Sequence, residues 1–297
     1  MRTLRFIWRH PIGGSKGLVR FATWQIRTRV LGKPSMVVDW VDGTKLTIER
    51  GLTGATGNYY CGLHEYSDMA FLLDLLLPGD LFVDVGANVG TYTVLASGAC
   101  GAMTLALEPV QSSFERLEAH VDLNGIGNLV DLRRVGASDR VGTLEFISDS
   151  DTTNHVMHAG DGSPGSTEGR STSIPVTTLD TLLSTRTPTA LKIDVEGWEM
   201  PVLDGARDTL CAFSLLACII EANSSSRPYG HTPGEVHRMM KAHGFTAVRY
   251  NVQSRQIEPG VDPTSNNLLF IRRLDEVLTR LGNAPDRTVL GGARPGT

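Results

Sequence analysis

The run Phe82-Val-Asp-Val-Gly-Ala-Asn-Val-Gly-Thr-Tyr-Thr93 constrains this chain more than any other segment. It reads as a buried strand, a glycine turn and the start of a helix, the unit from which open α/β sheets are assembled. Gly86, Asn88 and Gly90 let the backbone turn tightly and come close to a ligand. Asp84 stands just before the turn, where its carboxylate repels a pyrophosphate and attracts a cation. The spacing is G-x-N-x-G, so both the dinucleotide fingerprint and the phosphate loop are missing. S-adenosylmethionine carries an ammonium, a sulfonium and a ribose, and suits such a turn better than NAD or ATP.

A second acidic residue supports this reading. Thr104-Leu-Ala-Leu-Glu-Pro109 reads as another buried strand, ending in Glu108. In a doubly wound sheet, the carboxylate at the tip of the second strand meets the ribose hydroxyls of an adenosine ligand.

The rest of the chain continues the alternation. Strands are expected near 81–86, 104–108, 130–136, 191–195, 215–221, 245–250 and 267–272, with helices starting near Thr91, Ser113, Met200 and Thr232. Ser112-Ser113 looks like a helix cap, and Thr232-Pro233 with Glu235 reads as a capping box. This gives a mostly parallel seven-stranded sheet with helices on both faces, its last two strands pairing antiparallel at the edge. Upstream, Met36–Trp40 and Lys45–Glu49 flank Asp42-Gly43 as a hairpin, and residues 57–65 form a loop leading to a helix from Tyr66 to Leu77. Residues 149–171 are too long for a simple connection and read as a lid or binding loop. From Asn283 onward the chain reads as a frayed terminus. The division is then a basic arm with hairpin at 1–56, a catalytic domain at 57–275 and a tail at 276–297.

Composition excludes several classes. Hydrophobic residues make up 41% and charged residues 20%, as in ordinary globular proteins, and a net charge of −4 argues against nucleic-acid binding. Cys61, Cys100, Cys211 and Cys218 show no C-x-x-C pairing, which fits reduced thiols in a cytoplasmic protein. Residues 1–33 are different. Every formally charged residue there is arginine or lysine, interleaved with Phe6, Ile7, Trp8, Leu18, Val19, Phe21 and Trp24. The first expectation is a helical arm packed on the domain or on a second subunit as a homodimer; peripheral contact with an anionic membrane, or a grip on an acidic or glycan partner, is the alternative.

Candidate chemistry gathers at the carboxyl edge of the sheet. Asn154-His155 lies in the irregular loop, Lys192-Ile-Asp-Val-Glu-Gly197 ends the fourth strand, and Glu221-Ala-Asn223 ends the fifth. Displacement at a sulfonium requires an aligned nucleophile and removal of its proton. His155 is the first choice for that base, and His64, beside Glu65, the second. Asp194 and Glu196 share one face if the strand persists, and can orient the acceptor or hold the histidine. With Glu221 they would suit Mg²⁺, although their spacing does not call for a metal. Tyr59, Tyr60, Trp198 and Tyr229 are the aromatic candidates for a sugar ring.

Taken in order, the motifs Phe82–Thr93, Glu108-Pro109, Gly136-Ala-Ser-Asp139, Asn154-His155, Thr177-Thr-Leu-Asp180, Leu191–Gly197 and Ile220–Asn223 resemble the FkbM family of S-adenosylmethionine-dependent methyltransferases. The resemblance covers roughly residues 57 to 272. It implies a Rossmann-like class I methyltransferase domain that methylates a hydroxyl of a sugar, an oligosaccharide or a small secondary metabolite of polyketide type. Carried over by position, Asp84, Gly86, Asn88, Gly90 and Glu108 would hold the methionyl and ribose portions of the donor. Gly136, Ala137 and Ser138 would border its adenine, and Asp194 would face the methionine end or the acceptor. Tyr60 and Glu65 lie in the segment that closes over the donor in such folds. A non-catalytic module that binds the adenosyl ligand is the reading from a different class; the intact turn and the pair His155 and Asp194 favour the enzyme.

Overall fold

The computed structural model describes residues 2–148, 155–156, 170–221, 232–262 and 266–294. The basic arm forms two helices, α1 (Arg2–Arg9) and α2 (Gly14–Arg29). They pack on the domain through Ile7 and Trp24, which are buried in a cluster with Ile48, Ala55 and Tyr60. Gly17 sets how closely they approach. A Cβ there would fall 2.6 Å from the Ile7 side chain and 2.7 Å from the Tyr60 carbonyl oxygen, so any larger residue would push α2 away. The hairpin follows as expected, with β1 (Ser35–Asp39) paired antiparallel to β2 (Lys45–Glu49).

The segment expected as a loop at 57–65 is helical in its first half, within α3 (Thr53–Cys61). Its glycines and threonines are poor helix formers. Tertiary packing overrides them: Ala55, Tyr60 and Cys61 are buried against the arm, and the Asn58 side chain bonds the Gly54 carbonyl and the His64 amide. The next helix, α4 (Tyr66–Leu75), is shorter than expected at its end and almost wholly buried.

The glycine-turn strand is β3 (Leu81–Val85). A short helix, α5 (Thr91–Thr93), continues as a π-helical segment over Val94–Ala99. Then come β4 (Met103–Leu107), α6 (Gln111–Asn124) and β5 (Val130–Arg133). Helix α6 starts at Gln111, so Ser112 and Ser113 lie inside its first turn and do not cap it. The strand expected over 130–136 is split. Its end, β6 (Gly136–Ala137), leaves the main sheet and joins β7 (Gly142–Ser148), β8 (His155–Val156) and β9 (Arg170–Thr177) in a four-stranded sheet of order β6-β9-β7-β8.

The chain returns through α7 (Leu179–Leu183), β10 (Ala190–Ile193), α8 (Glu199–Asp204), α9 (Arg207–Cys211), β11 (Ala217–Glu221) and α10 (Pro233–Ala242). The capping box of α10 is present: Thr232 and Glu235 bond reciprocally. The last strands are β12 (Thr246–Asn251), β13 (Gln256–Pro259) and β14 (Asn267–Ile271). The main sheet runs β13-β12-β14-β11-β10-β3-β4-β5. It therefore holds eight strands, the extra one being the antiparallel edge strand β13. Strand β14 inserts antiparallel between β11 and β12, so the two last expected strands do pair antiparallel.

Side chains alternate between two cores. Phe82 and Ala106 face a layer that includes Leu72, Leu95 and Leu117, whereas Val83, Val85, Leu105 and Leu191 face Leu179, Leu203 and Met240. Strand order reverses between β3 and β10, and the carboxyl ends of those strands open a crevice, the place where open α/β sheets bind ligands. Among the described residues no helix is long and apolar enough to cross a membrane.

The chain after Asn283 is not frayed. Helix α11 (Leu274–Gly282) is followed by β15 (Thr288–Val289) and β16 (Gly292–Ala293), which form a small hairpin. Arg294 is buried and donates twice to Asp74, at 2.8 Å each, and Asp74 also accepts from the Tyr250 hydroxyl at 2.5 Å. Short-range sequence signals do not reveal this anchor, because its partners lie some two hundred residues away. Removing the guanidinium would leave a buried carboxylate uncompensated. Arg294→Ala should therefore cost about 3 kcal/mol or more in urea unfolding. A loss below ~1 kcal/mol would show the terminus to be a loose tail after all.

Candidate active site

Register and alternation bring opposite charges together beside the crevice. Lys192 of β10 pairs across the sheet with Asp84 of β3, and both side chains are buried on the face opposite Val83 and Leu191. The Lys192 Nζ donates to Asp194 Oδ2 at 2.5 Å and lies 4.6 Å from the Tyr92 ring centroid. Thr93 donates its hydroxyl to Asp84 at 2.7 Å. Tyr92 donates to Glu65 Oε2 at 2.7 Å, and Asn267 donates to both Glu65 and Asp68 at 3.0 Å. Burial alone would discharge Lys192, but Asp194, Glu65 and Asp84 together raise its pKa above that of an ordinary lysine. Burial pushes Asp84 up to about 6, against the pull of Lys192 and the Thr93 hydroxyl.

The turn itself is fixed by Gly86. It has φ +78°, and a Cβ there would sit 1.9 Å from the Asp194 carbonyl oxygen. The first requirement for this glycine is thus contact with the end of β10, made before any ligand arrives. Asn88, at φ 50°, turns its amide toward Glu108, which accepts it at 2.8 Å through Oε2 and the Val110 amide at 2.9 Å through Oε1. Glu108 is buried, and desolvation pushes its carboxyl up to about 7 against those two amides.

These residues floor a partly open cleft with a cavity volume of about 160 Å³. Gly86, Asn88, Glu108, Gly136, Ala137, Asp194 and Glu196 all line it. Its apolar wall comes from Val135, Leu144, Ile174, Val176 and Trp198, with Val110 and Pro109 beside Glu108. Strands β7 and β9 of the small sheet thus complete a site begun by the large one.

Other expected site residues stand back from the cleft. Asp84 and Glu65 belong to the buried network around Lys192 and do not line the cavity. Gly90 caps α5 in a left-handed conformation. Ser138 is buried and accepts from the Trp198 indole at 3.2 Å, steadying that cleft wall. Tyr60 lies elsewhere, its ring 5.3 Å from Phe21 in a second cavity beneath α1 and α2. His64 borders that same second cavity, where burial lowers its pKa although Glu65 opposes the shift.

At the mouth, Asp194, Glu196 and Glu221 bring one carboxylate oxygen each within 4.8 Å of the others. Strand β10 does not persist to do this. It ends at Ile193, and Glu196 and Gly197 both take positive φ, 51° and 104°, which swings the second carboxylate round. Burial first, then Asp194, Glu196 and Glu199, push Glu221 up to about 9. Such a trio can hold a divalent cation, or share a proton and present one neutral carboxyl to a hydroxyl ligand. His155 pairs through its backbone with Ile147 on β7, three positions beyond the cleft residue Leu144. Asn154, His158, Asn223, Tyr229 and His231 lie outside the described residues.

The sequence motifs did not point to the Lys192 hub, the Tyr92 bridge or the β7–β9 wall. The signals were present: Tyr92 and Thr93 open the helix after the turn, and Leu144 and Ile174 sit in alternating apolar segments.

A parallel β5-β4-β3-β10-β11 core with an inserted antiparallel strand, and a ligand cleft at its switch point, defines a Rossmann-like methyltransferase fold. Residues 84–247, more than half the chain, match the Methyltransferase FkbM domain. The protein belongs to the FkbM methyltransferase family. A curated relative, the hexuronic acid methyltransferase AglP of Haloferax volcanii, is 30% identical over 161 residues, 53% of this chain. The match spans 63% of that relative's length, less than two thirds. Solved structures with similarity include an rRNA methylase from Streptococcus thermophilus, at 14% identity, TM-score 0.38, covering 68% of this chain and 91% of that one. Another is a TehB-like SAM-dependent methyltransferase from Corynebacterium glutamicum, at 10% identity, TM-score 0.41, covering 73% and 93%.

The raised carboxyls have a consequence for stability. Between about 4.5 and 7 the folded protein keeps a proton on Glu108 that the unfolded chain has released, so rising pH favours unfolding across that window. Asp84 acts in the same direction between about 3.8 and 6. The melting temperature of ligand-free protein should fall as pH rises through this range, and Glu108→Gln should flatten the upper part of the curve. Unchanged pH dependence in that variant would remove Glu108 from the account.

Proposed function

We propose that the protein is an S-adenosylmethionine-dependent O-methyltransferase acting on a hydroxyl of a sugar or oligosaccharide. The observation that carries the reading is Glu108, held by the Asn88 and Val110 amides on the floor of the cleft beside the Gly86 turn. That placement suits a ribose. Each carboxylate oxygen accepts one backbone amide and keeps a lone pair for a ligand hydroxyl. The apolar slot between Val135, Ile174, Val176 and Trp198 suits a flat heterocycle, and the surrounding carboxylates suit a cationic ligand better than a pyrophosphate. The donor supplies, when bound, a methyl group already activated on a sulfonium.

This chain's own residues then bind, orient and deprotonate. Lys192 locks Asp194 at the end of β10, which fixes one wall for the donor or the acceptor. Glu221, kept neutral near pH 7 by burial and its acidic neighbours, is able to donate a hydrogen bond to an acceptor oxygen while Glu196 accepts one. His155 is proposed to take the hydroxyl proton, because imidazole titrates close to neutrality and β8 adjoins the strand that walls the cleft. The similarity to AglP, whose name specifies a hexuronic acid, supports a sugar acceptor over a polyketide-like one. No step in this reading calls on a metal.

Calorimetry with S-adenosylmethionine, S-adenosylhomocysteine and NADH tests the donor. Both adenosyl ligands should bind and NADH should not; the reverse pattern would overturn the proposal. Hydroxyls donated to Glu108 favour its charged form, so binding near pH 7 should release a proton, seen as a heat that varies with the buffer. Buffer-independent heats would remove Glu108 from the donor site.

His155→Ala should lower kcat by on the order of a hundredfold against a methyl-accepting glycoside while donor affinity stays constant. Full activity in that variant would exclude His155 as the base.

A further inference from the structure

Among the described residues, none buries the side of α2 that faces away from the domain. Gly17 and Trp24 face the domain. Val19, Ile26 and Val30, spaced by seven and four residues, fall on the opposite side and are 66%, 54% and 74% exposed. On α1, Leu4 and Trp8 share an outward face four residues apart, beside Arg5 and Arg9. Leu31 continues the apolar band just past the end of α2 and is 60% exposed. Among the described residues, half of the large exposed apolar side chains thus fall between Leu4 and Leu31, inside a segment whose formal charges are all positive.

We propose that this helix pair docks the enzyme on an anionic lipid surface, with the α2 stripe and Trp8 entering the interface and the flanking arginines and lysines meeting lipid phosphates. An apolar face edged by cations is the pattern that lies in the plane of a bilayer interface. Lys16, on one side of the stripe, and Arg29, on the other, lie where headgroup phosphates would be, and both are exposed. A second copy docking through the same face would set arginine against arginine, which opposes self-association. Nucleic acid would use the cations but leave the aliphatic stripe in water. The rest of the chain carries the acidic excess that brings the total to −4, so repulsion from an anionic surface would orient the molecule with the arm inward.

The test uses the full chain with vesicles of phosphatidylcholine, with and without phosphatidylglycerol. Trp8 is the reporter: it is 61% exposed, whereas Trp24 and Trp40 are buried and Trp198 is partly buried against the cleft. Wild-type protein should sediment with the phosphatidylglycerol vesicles, release at high salt, and show a blue-shifted emission quenched by brominated lipid. Ile26→Glu places a charge on an exposed site, should leave the melting temperature unchanged, and should weaken partitioning by roughly tenfold or more. Failure of the wild type to bind phosphatidylglycerol vesicles would overturn the proposal. So would vesicle binding that Ile26→Glu does not affect, which would mark a general polyanion surface. Concentration-dependent dimerisation abolished by Ile26→Glu, without vesicle binding, would reassign the face to a second copy.

Discussion

A buried lysine organises the working edge of this protein. Lys192 sits in the middle of the sheet, only 3% exposed, and such a charge persists only if carboxylates surround it. Asp194, Glu65 and Asp84 do so, from just past the end of β10, from the residue before α4 and from β3. One side chain thereby links segments far apart in sequence, and Tyr92 and Asn267 extend the link to α5 and β14. The Gly86 contact with the Asp194 carbonyl depends on the same alignment, since β10 must end level with the turn. The shape of the cleft is therefore set by the packing of an ion network behind it.

Much of this was readable from local pattern. Glycine turn, strand-end acids and alternation of strands and helices are short-range signals, and they placed Gly86, Asn88, Glu108, Gly136, Ala137, Asp194 and Glu196 around one cleft. What could not be read depends on distance. Whether Asp84 faces a ligand or Lys192 is decided by the register of β3 against β10, which no property of residues 82–93 encodes. The burial of Arg294 against Asp74 is of the same kind. The helix over Thr53–Cys61 illustrates the reverse error, a weak local propensity overruled by packing against the arm.

The two sheets divide the labour of the site. The large sheet supplies the polar floor, with Glu108 and Asp194 at strand ends, while the small sheet supplies apolar wall through Leu144, Ile174 and Val176. The hand-over occurs at Gly136–Ala137, where the third strand leaves one sheet for the other. The indole of Trp198 spans the join, because its N–H reaches Ser138 immediately beyond β6. A ligand with one polar and one apolar half fits across that seam.

The acids of the floor and mouth are held in an unfavourable state. Glu108 and Glu221 are both pushed towards their neutral forms, chiefly by burial, and Asp84 shares the shift despite Lys192. Stability alone would replace such groups by apolar ones. Their place at the switch point of the sheet is understandable if the missing interactions arrive with a ligand: hydroxyl donors for Glu108 and an acceptor oxygen for the neutral Glu221. Lys192, tied to Asp194, offsets part of this acidic cluster from behind the turn.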